Sequence, residues 1–212
     1  MRKLLKRIFD IFVTLPMVVL FSPVFIVIVL AITLSGKGPA VFKQERAGKN
    51  GKPFTFYKFR TMKNDADPFG ASPKSAKDPR LTKIGKFLRE FSLDELPQLF
   101  NILKGDMSVV GPRPLYISQM AEWDQRQKKR LLVKPGLTGL AQISGRAELT
   151  REEKLELDVK YVETAGFCTD VKIILATVAQ VFVRKNIYEK KYSKEEFTRG
   201  EKNIEKVKEN QS

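Results

Sequence analysis

Two adjacent acids, Asp94 and Glu95, head the segment Ser92-Leu93-Asp94-Glu95-Leu96-Pro97-Gln98 and are the residues of this sequence best suited to chemistry on phosphorus. Leu96, Leu99, Phe100 and Leu103 recur at helical spacing and Gly105 suits a C-terminal cap. The pattern predicts a helix from Leu93 to Lys104 with that stripe packed inward. A carboxylate at a helix N-terminus is favoured in its charged form by backbone donors and the helix dipole, which suits either Mg²⁺ binding or nucleophilic attack. The same spacing also reads as structure alone, because Ser92 and Glu95 fit a capping box and Asp94 complements the dipole. Neighbouring side chains on a helix point about 100° apart. The two acids therefore need not share one role.

Cations that could face a phosphate lie in four places. Arg113 stands between two prolines in Gly111-Pro112-Arg113-Pro114, where a stiffened backbone holds its guanidinium out as a bidentate clamp. Lys58 and Arg60 belong to Tyr57-Lys58-Phe59-Arg60-Thr61-Met62, Lys134 precedes Pro135-Gly136-Leu137-Thr138-Gly139, and Arg146 follows Gly145. Glycines beside the last two permit close approach of backbone to a ligand, or make ordinary turns.

The elements that must position these groups are readable in outline. Ala40 to Glu45 and Phe54 to Phe59 are β-like runs, and the turn-rich Gly48-Lys49-Asn50-Gly51-Lys52-Pro53 between them predicts a hairpin. Residues 64–80 are polar and form a long surface loop. At the front of the chain, Ile11 to Leu34 is an uncharged apolar run, long enough at 1.5 Å per residue to cross a hydrocarbon core of about 30 Å. Ser22 and Pro23 lie at its centre and predict a break or kink, with the Ser22 hydroxyl available to a released carbonyl. Arg2, Lys3, Lys6 and Arg7 precede the run, and Lys37, Lys43, Arg46 and Lys49 follow it. Equal basic flanks fit a re-entrant hairpin whose two ends return to the cytoplasmic surface; a single kinked span is the alternative.

Composition narrows the class. A formal charge of +15 over 212 residues draws the chain to anionic headgroups, nucleotides or nucleic acid. The sequence has no histidine, which excludes a His general base, a His metal ligand and the usual catalytic triad. The lone Cys168 excludes an internal disulfide. The reading is α+β and mainly helical. A re-entrant anchor (1–36) precedes a compact cytosolic domain with a small β-hairpin (37–185), followed by a charged tail (186–212). Val171 to Val183 fits either an interfacial or a core helix.

Together these segments resemble the bacterial sugar transferase family, the small monotopic phosphoglycosyl transferases. The matching residues are the broken anchor with Ser22-Pro23, Phe42-Lys43-Gln44-Glu45-Arg46-Ala47-Gly48, Tyr57 to Met62, Ser92 to Gln98, Gly105-Asp106-Met107-Ser108, Gly111 to Pro114, and Lys134 to Gly139 running on to Gly145-Arg146. The likeness extends to about Arg184. It implies transfer of a phosphosugar from a UDP-sugar to a polyprenol phosphate such as undecaprenyl phosphate, with Mg²⁺ as cofactor and UMP released, at the cytoplasmic face of the bacterial inner membrane. It also implies that Asp94 is the nucleophile and carries the phosphosugar as an acyl phosphate, with Glu95 supporting at the metal. Lys58, Arg60, Arg113, Lys134 and Arg146 become candidate phosphate ligands. Anionic lipids are expected partners and nucleic acid is not. Residues 64–80 and 116–129 are candidate specificity regions. A basic, membrane-tethered binding module would leave the acid pair and the Pro-Arg-Pro segment without a role, and a glycosyltransferase that moves only the sugar would release UDP.

Overall fold

The computed structural model describes residues 2–67, 70, 73 and 75–183. The expected tail, 186–212, lies outside them. The chain begins with helix α1 (Arg2–Leu34) and a hairpin of β1 (Val41–Ala47) and β2 (Pro53–Phe59). Helices α2 (Lys83–Glu90) and α3 (Gln98–Lys104) follow, then strands β3 (Ser108–Val110) and β4 (Gly136–Thr138). Helices α4 (Leu140–Ser144), α5 (Arg151–Thr164) and α6 (Phe167–Val183) complete the described fold. The hairpin is antiparallel with Gln44 opposite Phe56, whereas β3 and β4 pair in parallel. Its turn uses positive φ at Asn50 and Gly51, as the turn-rich sequence requires.

α1 runs through Ser22 and Pro23 as one helix, so the expected division into two helices is absent. The reason is local. Pro23 cannot donate to the Val19 carbonyl four residues back, and the Ser22 hydroxyl takes that acceptor instead at 2.8 Å. Leu4–Leu34 is long and apolar enough to cross a membrane. One stripe of it nevertheless faces the rest of the protein: Asp10, Thr14, Ile28 and Ile32 are buried, and Met17 and Phe25 pack against the core, at helical spacing. The remaining surface exposes Phe12, Leu20, Leu30 and Leu34 among other large apolar residues.

Contacts hold α1 along nearly its whole length. Lys6 lies 2.8 Å from Asp170 of α6, Arg7 donates to the carbonyls of Ile102 and Leu103, and Asp10 accepts from the Ser108 hydroxyl and the Val109 N–H. Farther along, Phe25 packs on Phe59 and Phe100, and Arg60 donates to the Ile32 carbonyl. The Tyr161 hydroxyl extends the Asp10–Lys6–Asp170 network, reaching the Asp170 carboxylate and the Val110 carbonyl. Burial and the adjacent carboxylate push its ionisation well above the ordinary tyrosine range.

Two apolar clusters lie behind these contacts. Phe56, Leu99, Ile102, Met107, Val110, Tyr161 and Ile173 form the larger; Ile28, Ile32, Phe59 and Leu88 form the smaller. β2 joins them by turning Phe56 to one and Phe59 to the other. In α6, Ile173 belongs to the core while Leu175 and Val178 are exposed.

Candidate active site

The segment that carries the acids is not one helix. A 3-10 turn (Leu93–Glu95) is followed by Leu96 and Pro97, and α3 starts only at Gln98. Pro97 sits at the N-cap of α3, where its missing N–H costs no intrahelical bond. Ser92 adopts a left-handed conformation with φ 56° and makes no side-chain cap bond, so the reciprocal capping box does not form. The inward face also differs from the expected stripe. Gln98, Leu99, Asn101 and Ile102 are buried, whereas Phe100 is exposed on the core side's flank and meets Phe25 of α1. Gly105 closes α3 in the left-handed region, as its position predicts.

This turn delivers two carboxylates to two cations. Asp94 Oδ2 lies 2.7 Å from Lys58 Nζ of β2, and Glu95 Oε1 accepts from Arg113 Nη2 at 2.7 Å. The Asp94 side chain is 4% exposed and that of Lys58 18%, while Glu95 is 16% exposed and Arg113, the most open of the four, 43%. A small cleft beside Arg113 is lined by Ala47, Gly48, Pro112, Pro114 and Val133.

Arg113 is held from behind. Its carbonyl accepts from Arg130 Nη2 at 2.6 Å, and Arg130 pairs with Asp158 of α5 at 2.7 Å beneath the Trp123 ring. Both partners of that ion pair are buried. Burial pushes the Asp158 carboxyl up to about 6 against the lowering influence of Arg130. On the other side, Gly136 N–H donates to the Pro112 carbonyl and Gly111 N–H to the Thr138 carbonyl. An ideal Cβ on Gly136 would stand 2.1 Å from Gly111 N, and one on Gly139 2.2 Å from Gly111 O. These glycines serve a close approach of backbone to backbone, rather than of backbone to a ligand.

The other predicted cations lie elsewhere. Arg60 is engaged at the end of α1, bonded to the carbonyls of Ile32, Gly36 and Lys37 and to Asn64. It caps the helix, where a cation complements the dipole. Lys134 lies at the Gly105 end of α3, away from the end that Asp94 precedes, and beside Arg7. Burial and the Arg7 charge lower its affinity for a proton. Arg146 begins a 3-10 turn (Arg146–Glu148), and its side chain lies outside the described residues.

Arg46, unassigned by sequence reasoning, stacks on the Tyr116 ring at 3.6 Å, and burial followed by its neighbour Arg113 lowers its affinity for a proton. Arg130 and Asp158 were missed as well. The signal available was Asp158 on the apolar side of α5 beside Leu155 and Val159, because a carboxylate there requires a buried cation.

Among the described residues no group of three or more His, Cys, Asp and Glu could hold a metal. Mg²⁺ is commonly held by one or two carboxylates together with substrate phosphates and water, and Asp94 and Glu95, each paired with a cation, are the two carboxylates of this row.

Comparison with known proteins adds the context of this geometry. A family model described as bacterial sugar transferase matches residues 1–184. The chain is 44% identical over 184 residues to the uncharacterized sugar transferase EpsL of Bacillus subtilis, covering 87% of this chain and 90% of that protein. It is 43% identical over 194 residues to the UDP-glucose:undecaprenyl-phosphate glucose-1-phosphate transferase of Escherichia coli, covering 88% of this chain and 42% of the relative. Identity to the undecaprenyl-phosphate galactose phosphotransferase of Salmonella typhimurium is 37% over 201 residues, again with 88% and 42% covered. The chain thus spans about two-fifths of the length of the last two.

Proposed function

This chain belongs to the bacterial sugar transferase family, and on that footing we propose that it transfers a sugar 1-phosphate from a UDP-sugar to undecaprenyl phosphate or a similar polyprenol phosphate. The observation that carries the reading is the row Lys58–Asp94–Glu95–Arg113, a nearly buried carboxylate beside an exposed guanidinium. Relatives named for transfer of glucose 1-phosphate or galactose phosphate to undecaprenyl phosphate support it.

Asp94 attacks the sugar-linked phosphorus. An O–P bond forms to its carboxylate, the bond to the UMP oxygen breaks, and UMP leaves with the electron pair. A phosphate oxygen of the polyprenol then attacks the same phosphorus and displaces Asp94, giving polyprenyl-diphosphate-sugar and the free carboxylate. The nucleophiles are a carboxylate oxygen and a phosphate oxygen, so neither step calls for a general base to strip a hydroxyl or amine proton. A protein without histidine can therefore run this reaction. Arg113 binds the donor diphosphate on the open side, and Lys58 orients Asp94 and limits repulsion between its carboxylate and the phosphate. Mg²⁺, held by Glu95 and Asp94, supplies further charge neutralisation when bound.

The acceptor explains the helix. Contacts from Lys6 to Arg60 hold both ends of α1 against one globular unit, while its outer surface is apolar. With α1 set as one helix in the cytoplasmic leaflet and both of its ends at the same surface, the site stays at headgroup depth where a polyprenol phosphate lies. Basic flanks favour anionic lipids there.

The test is product analysis with UDP-sugar and polyprenol phosphate in Mg²⁺. UMP should appear, UDP-sugar alone should label Asp94, and Asp94→Asn should do neither. Release of UDP would mean transfer of the sugar alone, and a fully active Asp94→Asn would refute the covalent route.

A further inference from the structure

We infer that Asn101 is the positioning residue that sets Lys58 against Asp94, an inference that rests on the proposed role of Asp94. Asn101 is completely buried on α3. Its amide nevertheless reaches across to β2 in two directions: Nδ2 donates to the Thr55 carbonyl at 2.7 Å, and Oδ1 accepts from the Tyr57 N–H at 3.1 Å. Those groups flank Phe56 on the strand edge. The side-chain amide thus binds β2 as the peptide of a neighbouring strand would, and it satisfies two backbone groups that burial would otherwise strand.

The consequence falls on the next residue. Lys58 follows Tyr57 directly, and α3, which carries Asn101, is joined through Leu96 and Pro97 alone to the 3-10 turn that carries Asp94. Two links therefore join β2 to this one stretch of chain: the Asn101 amide of α3 to Thr55 and Tyr57, and Asp94 of the preceding turn to Lys58 at 2.7 Å. The first is short and rigid; the second ends a long, flexible side chain. Strand register decides which face each side chain takes, so a slip of one residue would turn Lys58 away from Asp94. Asn101 is itself fixed, because its carbonyl accepts from the N–H groups of Gly105, Asp106 and Met107 at 3.1, 3.0 and 3.2 Å. Asp94 and its cation are thereby kept in one geometry through both displacements, as positioning-dominated phosphoryl transfer requires.

A double-mutant cycle tests this on the full chain in lipid vesicles, with UMP release normalised to folded protein. Asn101→Ala should lower kcat by about 30-fold with KM for the UDP-sugar within about 3-fold, and Lys58→Met should cost at least as much. If Asn101 acts through Lys58, the double variant should fall no more than about 3-fold below Lys58→Met alone. Asn101→Asp keeps the acceptor for Tyr57 and loses the donor to Thr55, so it should retain an intermediate rate; it also supplies the cycle if the Ala variant does not fold. Losses that multiply in the double variant, or kcat per folded molecule within about 3-fold of the parent in both Asn101 variants, would overturn the inference while leaving the reaction in place. A parent that releases no UMP would remove the role of Asp94, and that of Asn101 with it.

Discussion

Arg130→Met separates what holds the fold from what serves the reaction. In the parent, Arg130 neutralises Asp158 at 2.7 Å and donates to the Arg113 carbonyl at 2.6 Å, with both partners of the ion pair buried. Removing one member of such a pair leaves an uncompensated charge and costs about 3–5 kcal/mol. The cost depends on pH, and its sign follows from Asp158. Burial raises that carboxyl from 3.8 to about 6, so the folded protein binds this proton more tightly than the unfolded chain. The group's contribution to stability is full below about pH 4 and is lost as pH rises through about 6, by about 3 kcal/mol at 1.36 kcal/mol per pH unit. Without Arg130 the carboxyl moves higher still, and the loss extends over a wider span. Denaturant melts in detergent at pH 5 and pH 8 should therefore show Arg130→Met close to the parent at the lower pH and well below it at the higher. Adding Asp158→Leu removes the stranded charge and should restore stability at pH 8. It should not restore UMP release, because the Arg113 carbonyl still lacks its donor and the clamp is free to drift. Equal destabilisation at both pH values would refute the electrostatic account, and recovery of full activity in the double variant would refute the link to Arg113.

Arg113→Lys keeps the charge but loses the planar fork, and should lower kcat/KM by at least about 10-fold; near-parental kinetics would make Arg113 a partner of Glu95 only. Ile102→Ala, at a fully buried position, should cost about 2–5 kcal/mol in a chemical melt. In a Cys168→Ala background, cysteines at Lys3 and at Lys37 should both resist an impermeant thiol reagent on intact cells and both react once cells are opened. Labelling of the Lys3 probe from outside would mean that α1 crosses the membrane. Replacing Ser22 and Pro23 by Ala and Leu should send part of the N-terminal probe to the far side and lower activity.

The parts of the fold legible in the sequence are those set by neighbours in the chain. The hairpin follows from turn residues between two β-like runs, Gly105 ends α3 where its lack of a side chain predicts, and the apolar run is helical, though without the expected division at Ser22-Pro23. The parts that were not legible depend on distant residues. Whether Glu95 caps a helix or meets an arginine is decided by Ser92 taking a left-handed conformation, and by a partner eighteen positions away. Arg60 reads as a phosphate ligand because it lies two residues from Lys58, yet β2 ends at Phe59 and the Arg60 guanidinium is taken by the carbonyls of Ile32, Gly36 and Lys37, more than twenty positions away in sequence. Asp10 and Thr14 mark the inner stripe of α1, but averaged hydropathy hides two polar residues among so many apolar ones.

Three consecutive residues of β2 and its end have unlike duties: Lys58 meets Asp94, Phe59 sits beneath Ile28 and Ile32 of α1, and Arg60 ties off the carbonyls of Ile32, Gly36 and Lys37. The segment between anchor and catalytic unit is consequently no tether. Under the proposed function, height above the bilayer and tilt toward it would be fixed by the same bonds that carry the lysine, so the protein would not reach up or down for a substrate. It would travel only sideways in the leaflet, and acceptors would arrive at the single depth at which it is moored.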